Sequence, residues 1–538
     1  MKIRKEVELR RPAAVVCAVL CAGGILVLSG CSTAVDQKLS EESSRCEALT
    51  GSSIASAAFG LPTRSATIRK AVFVSKDALG GGYCKVEGRI DATDNADLPI
   101  NYQVNLPVSW NGKTVQYGGG GSNGVVITGT ENFSHAPVKT PTPLAQGYVT
   151  YGGDSGHTTK DKDWLNNPQA FANYAGESVK RTHDAAAAVI KSFYGQAAKS
   201  NYFIGGSKGG QEGLVAAQRY ADDYDGVVSF YPAARAFMMQ MAWGTMGYAA
   251  KAPGAALNND QQQLVRSRVL EACDNLDGLE DGLIGRVDQC RKQFVLDSLK
   301  CPAGSSGNSS SCLTEPQLQG LRVAATPLTF EFPFANGKTS IGPFPVLEGA
   351  DFGWILYPSS WAPWGKLYVS GGDDAAKQAS GDPKATLPGF DYRKYRSQIQ
   401  AISKIYDASS PDLDKFQDKG GKLLLIQGTT DMLVPHPMTT DYYQSLESRY
   451  GKKLENFAAY YIQPGFDHGA GEFSLSVDSL AALDKWVNQG AAPGDLVAID
   501  VAKKTRNRSR PLCQYPAVAQ YKGTGDVNRA DSFECVKP

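Results

Sequence analysis

The sequence predicts an α/β fold: a mainly parallel sheet with helices on both faces, carrying an inserted second domain. Three observations lead there. Short apolar segments alternate with helix-like ones from about residue 100 to 232, the alternation is lost from about 233 to 410, and it returns at 422. In order, Lys113–Tyr117 and 148–151 read as short buried strands, each running into glycines. Residues 176–193 read as a helix with Val179, Ala186 and Ile190 on one face. Then come a strand at 201–204, a helix at 211–220 and a strand at Gly226–Phe230. Beyond the insertion, 422–426 and 457–462 read as strands and 475–487 as a final helix. A chain of 538 residues exceeds what one apolar core usually sustains, which fits a core domain plus a large insertion. The insertion holds an aromatic cluster, Trp354, Tyr357, Trp361 and Trp364.

Charge excludes one class of partner. Lys and Arg number 55 and Asp and Glu 54, so no broad field exists to draw nucleic acid. Lys2, Arg4, Lys5, Arg10 and Arg11 precede an apolar run from Ala13 to Leu28, a signal-peptide pattern. Leu28-Ser29-Gly30-Cys31 resembles the bacterial lipoprotein signal, with Cys31 as the lipidated residue; an ordinary signal peptide cut nearby is the alternative. The protein is therefore expected outside the cytoplasm, periplasmic or attached to the outer membrane, possibly secreted, with any membrane contact made through the lipid alone. Residues 32–45 are polar and read as a tether. Setting aside Cys17, Cys21 and Cys31 leaves Cys46, Cys84, Cys273, Cys290, Cys301, Cys312, Cys513 and Cys535, an even number that reads as disulfides in an oxidising compartment. Sequence alone allows 105 pairings of eight cysteines.

Gly205-Gly206-Ser207-Lys208-Gly209 fits G-x-S-x-G, with an apolar strand before it and a small-residue helix after it. Such a turn lifts a serine hydroxyl above a sheet. The serine needs a base, and of five histidines only His436 and His468 follow it in the order serine, acid, histidine. His468 follows the last core strand. His436 stands five residues after the best acid, Asp431, and is expected at the surface or a pocket rim. Asp467 is the runner-up acid, but it adjoins the base. The predicted triad is Ser207, Asp431 and His468. Oxyanion donors are expected from the Lys208 backbone N–H and from the glycine run 118–121, with Gly119 and Gly120 as candidates. The Lys208 side chain is expected in solvent, with attraction of a substrate carboxylate as the alternative. No Lys-Ser/Thr follows the glycines, so they are not a phosphate loop. Asp274, Asp277 and Asp281 crowd carboxylates among glycines; a solvated acidic turn and a Ca²⁺ site are both open on residues alone, and the spacing is not that of an EF-hand.

Together with the elbow, Tyr117-Gly118-Gly119-Gly120-Gly121-Ser122-Asn123-Gly124, Gly153-Asp154-Ser155-Gly156-His157 and Arg510-Pro511-Leu512-Cys513-Gln514-Tyr515-Pro516 resemble the tannase and feruloyl esterase family, which includes the hydrolase of mono(hydroxyethyl) terephthalate. The resemblance implies an α/β-hydrolase core at 46–232 and 411–538, a lid at 233–410, and small-molecule esters of aromatic acids as substrates. It implies pairs Cys46–Cys84, Cys273–Cys290, Cys301–Cys312 and Cys513–Cys535. It also implies a structural Ca²⁺ in the lid, held by Asp274, Asp277 and Asp281 side chains and the Leu279 and Leu283 carbonyls. Two readings compete with a gallate or ferulate esterase: a terephthalate monoester hydrolase, and a non-catalytic calcium-stabilised binding lipoprotein. Two departures stand out. Gln427 occupies the place, four residues before the acid, where the family often has histidine. Gly206 and Gly469 occupy the places of two cysteines that many members join beside the triad. If those glycines face each other, their Cα atoms should lie within roughly 7 Å.

Overall fold

Ten strands form one sheet whose two halves differ in composition. In chain order they are β1 (Ser53–Ala55), β2 (Ser65–Val74), β3 (Tyr83–Asp91), β4 (Ile100–Pro107), β5 (Lys113–Tyr117), β6 (Val149–Gly153), β7 (Ser200–Gly206), β8 (Gly226–Phe230), β9 (Lys422–Gly428) and β10 (Ala458–Gln463). Their spatial order is β1-β2-β3-β4-β6-β5-β7-β8-β9-β10. The computed structural model describes residues 40–75, 82–94, 98–304, 309–357, 366–505 and 507–537. Cys31, the signal segment, most of the tether, Trp361 and Trp364 lie outside the described residues.

From β6 to β10 every pair is parallel. Helices cover both faces of such strands, so they are apolar almost throughout: all five residues of Gly226-Val227-Val228-Ser229-Phe230 are buried. The strands β1 to β4 pair antiparallel instead. In β3, buried Val86, Gly88 and Ile90 alternate with half-buried Lys85, Glu87 and Arg89, the period of a sheet with one open face. The loss of strand–helix alternation before residue 100 is thus an antiparallel flank. Residues 40–45, expected in the tether, are helical. The expected helix at 475–487 divides: Leu475–Ser476 pairs with 499–500, and the helix itself is Ser479–Gln489. The Asp478 carboxylate caps its start by accepting from the Ala481 N–H at 3.3 Å.

The insertion between β8 and β9 is mainly helical, with Ala236–Ala250, Asn259–Cys273, Glu315–Ala325, Leu367–Ser380 and Arg396–Tyr406 its longest helices. It does not stand apart from the sheet. Phe237, Met241, Tyr368 and Phe352 of the insertion share one buried apolar cluster with Val115, Ile204, Val228 and Ile426 of the strands. Trp243 Nε1 donates to the Leu433 carbonyl at 2.9 Å, and the Tyr368 hydroxyl donates to that of Met432, so the insertion grips the loop after β9. Disulfides join Cys46–Cys84, Cys273–Cys290, Cys301–Cys312 and Cys513–Cys535. No helix among the described residues is long and apolar enough to cross a membrane.

Candidate active site

The parallel strands run in one direction, so the loops at their C-terminal ends gather at one edge, where ligands bind in open α/β sheets. The Gly118–Gly121 run leaves β5, Ser207 leaves β7, Tyr231 leaves β8, Asp431 follows β9 and His468 follows β10.

Ser207 has φ 60° and ψ −119°, a conformation that costs a non-glycine residue on the order of 1–3 kcal/mol. Its N–H donates to the Phe230 carbonyl at 3.0 Å and its own carbonyl accepts from Ala233 and Gln211. The helix Lys208–Arg219 starts directly after it and places its positive end at the hydroxyl. Small residues are obligatory around the turn. A Cβ on Gly205 would sit 2.5 Å from the Gly209 carbonyl oxygen, and one on Gly209 2.6 Å from that of Gly119.

Asp431 is fully buried. One of its oxygens accepts from the Leu433 and Val434 N–H groups, at 2.9 and 2.8 Å, and the other lies 2.9 Å from His468 Nδ1. Burial alone would lower the His468 pKa, but Asp431 outweighs it and holds it above the usual 6.5. Asp467 is not hydrogen-bonded to that ring nitrogen; its carboxylate accepts from the His468 and Met432 N–H groups at 2.7 and 3.1 Å, tying the loop after β9 to the loop after β10. His436, expected at the surface or a pocket rim, is buried and lines a cavity: Nε2 meets Glu348 at 2.8 Å, and burial drives its pKa down to about 3. Gln427 is buried too, donating to the Val434 carbonyl and accepting from Thr439.

The glycine loop departs from expectation at one residue. The Gly119 N–H is committed to Glu212, at 3.0 Å. That carboxylate also accepts from Asn123 Nδ2 at 2.8 Å and pairs with Lys208 Nζ at 2.9 Å. The Lys208 side chain, expected in solvent, is 4% exposed and lies over the Tyr174 ring, and burial lowers its pKa. Glu212 therefore braces the glycine loop against the elbow helix, and losing either partner would strand a buried charge at about 3–5 kcal/mol. Of the two glycine donors considered, Gly120 is the one whose N–H is not turned to Glu212. Sequence reasoning missed Glu212, although its spacing four residues after Lys208 is that of a helical ion pair.

It also missed Tyr231 and His135. The Tyr231 ring lies 4.7 Å from that of His468, and its hydroxyl is 2.8 Å from His135 Nε2. A Cβ on Gly206 would meet the Tyr231 ring at 2.9–3.0 Å, while Gly469 has φ +92° and open space beside it. A side chain at 206 would press on the end of the Tyr231 side chain, and one at 469 would take a positive φ.

Three cavities border these loops, one of them, about 280 Å³, lined by Arg291, Thr429, His436, Pro464 and Tyr515. A second, of about 340 Å³, is lined by Tyr117, Gly118, Phe133, Gly206 and Phe230; a third, of about 400 Å³, by Glu348, Trp354, Thr430 and Asp467. A larger one, about 740 Å³, lies at Ala217–Arg219, the end of the elbow helix away from Ser207.

In the insertion, Asp274 accepts from the Gly282 N–H at 2.9 Å, Asp277 from that of Leu279 and Asp281 from that of Leu283, while Asp281 also pairs with Arg510. Burial and the neighbouring Asp281 charge push Asp277 up to about 7. The hard-oxygen donor set fits Ca²⁺ in kind. The Asp274, Asp277 and Asp281 carboxylates do not all lie within 4.8 Å of one another.

Comparison with known proteins places this geometry. The family described as Tannase and feruloyl esterase matches residues 84–536. The chain is 35% identical over 518 residues to an uncharacterised esterase of Agrobacterium fabrum, covering 91% of this chain and 92% of that one. It is 27% identical over 530 residues to mono(2-hydroxyethyl) terephthalate hydrolase of Piscinibacter sakaiensis, covering 85% of each. Feruloyl esterase B from Aspergillus oryzae shares its fold, with a TM-score of 0.76 at 20% identity over 92% of this chain and 100% of that one.

Proposed function

We propose a mechanism and a substrate class from one premise: the chain belongs to the tannase and feruloyl esterase family and is a carboxylic ester hydrolase. The reading is a serine esterase acting on esters of aromatic carboxylic acids. One observation carries the mechanism: His468 Nδ1 lies 2.9 Å from the buried Asp431, at the strand ends where the strained Ser207 turn also emerges.

Ser207 Oγ attacks the ester carbonyl while His468 takes its proton. Carbonyl π electrons move to oxygen, where the Lys208 and Gly120 N–H groups are assigned to receive the charge. Collapse expels the alcohol, protonated by His468, and leaves an acyl-serine. Water attacks that ester, giving its proton to His468; the acid departs and Ser207 regains its proton. Asp431 fixes the imidazole tautomer and stabilises its cation.

The aromatic acid class is supported by relatives named for terephthalate and feruloyl esters. The test compares hydrolysis of an alkyl gallate, methyl ferulate, mono(2-hydroxyethyl) terephthalate and p-nitrophenyl acetate, with fluorophosphonate labelling of the enzyme. Label on Ser207 and a higher kcat/KM for an aromatic acid ester are expected. A preference for the acetate would overturn the substrate class, and label elsewhere the nucleophile.

Export is proposed with the same reading, since four disulfides suit an oxidising compartment, and Cys31 is the proposed lipid site. Ca²⁺ is proposed for the lid turn, through Asp274, Asp277 and Asp281 with the Leu279 and Leu283 carbonyls; Asp281 would exchange Arg510 for the ion. An ion bound only by the native state stabilises by mass action. Adding Ca²⁺ to chelator-treated protein should raise Tm while kcat at moderate temperature stays unchanged. An identical Tm in chelator and in Ca²⁺ would dismiss the site.

A further inference from the structure

We propose that Tyr231 is a positioning residue for the base: its ring, locked by a hydrogen bond to His135, fills the space beside the elbow and holds the His468 imidazole against Asp431. The proposal rests on His468 being that base.

Tyr231 is the first residue after β8. Its N–H donates to the Ile426 carbonyl at 2.7 Å, and its φ is +32°, in the region disfavoured for residues with a Cβ. The ring it carries is buried, 4.7 Å from His468 and 5.8 Å from Phe466. His135 is also at positive φ, +67°, and its carbonyl accepts from Val477 at 2.8 Å. Its ring lies 4.9 Å from Phe230 and 5.0 Å from Phe466. Its Nε2 lies 2.8 Å from the Tyr231 hydroxyl, and in the neutral ring that nitrogen and the phenol share one proton between them. Burial keeps His135 neutral, with its pKa down to about 4.

Simple core filling would account for a buried ring. It does not account for two strained residues, nearly a hundred positions apart, whose side chains bond to each other against the base loop. Gly206 completes the argument. A Cβ there would press on the Tyr231 hydroxyl and ring edge at 2.9–3.0 Å, so Tyr231 occupies the space next to residue 206. The groups facing His468 are Asp431, Asp467, Tyr231 and, behind it, His135.

The test uses the full chain with Tyr231→Ala, Tyr231→Phe and His135→Gln, assayed below each variant's Tm for kcat, KM and the acid limb of the pH profile. Misplacing a catalytic group by about 1 Å can cost about 100-fold. Tyr231→Ala should lose roughly 10–100-fold in kcat with little change in KM. Its acid limb should rise, because water reaching the imidazolium favours the charged form. Tyr231→Phe keeps the ring but loses its bond to His135, so it should lie between wild type and Tyr231→Ala. His135→Gln frees the ring without removing it and should fall between, which decides the matter if Tyr231→Ala does not fold. An unchanged kcat and acid limb in Tyr231→Ala, or in His135→Gln where the first is unfolded, overturns the proposal. Retained activity in Ser207→Ala would instead overturn the triad on which it rests, and the two failures are read separately.

Discussion

Replacing Ser207 with Ala should lower kcat by about 10⁶-fold, the loss measured when a triad nucleophile is removed, and leave the fold intact. The two halves of that result have separate causes. In the proposed mechanism the hydroxyl is the attacking atom, and neither neighbour at the elbow can replace it: Gly206 has no side chain, and Lys208 is buried and paired with Glu212. The fold is indifferent because the turn is held by backbone, the Ser207 N–H on Phe230 and its carbonyl on Ala233 and Gln211. Alanine carries the same Cβ at φ 60°, so the strain is unchanged. Tm should move by no more than about 2 °C. Some rate above that of water should persist, since donors and binding contacts remain. A Ser207→Ala enzyme within tenfold of wild type, once contamination is excluded by active-site labelling, would remove Ser207 from the mechanism.

What could be read from the sequence was whatever the parallel sheet writes locally. Gly226–Phe230 was bounded correctly because a strand covered on both faces is buried from end to end, and Lys113–Tyr117 because glycines stand on either side of it, although its buried Thr114 and Gln116 are polar and hydrogen-bonded. The elbow was readable because close backbone packing admits only glycine at 205 and 209. The errors arose where burial depends on distant partners. Lys208 looked like a solvent lysine, yet Glu212 and Tyr174 enclose it. Gly119 and Gly120 are indistinguishable as letters, and a carboxylate from another element separates them. His436 lines a cavity, as one of its two expected placements had it, but nothing nearby in the chain reveals its buried partner Glu348, 88 residues away. Tyr231 and His135 carry no motif at all; only the fold brings them to His468.

The two histidines that follow the elbow should separate by several orders of magnitude. His468→Ala removes the proton acceptor and should cost about as much as losing the serine, because nucleophile and base act as a unit. His436→Ala removes a partner of buried Glu348, leaving Arg291 to pair with that carboxylate; a loss of roughly 1–3 kcal/mol in stability is expected, with kcat within a few-fold. The pH profile gives an independent check. The base must be neutral to take the proton, so kcat/KM falls as pH drops through the His468 pKa. Asp431 stabilises the imidazolium against the opposing effect of burial, so the wild-type acid limb should lie above 6.5. Asp431→Asn removes that charge and leaves only Asp467 opposing burial, so its acid limb should move below that of the wild type. Its kcat should fall about 10⁴-fold, because an amide favours the wrong imidazole tautomer. If His436→Ala proved as damaging as His468→Ala in a folded enzyme, or if the acid limb of Asp431→Asn moved upward, the Asp431–His468 assignment would be wrong.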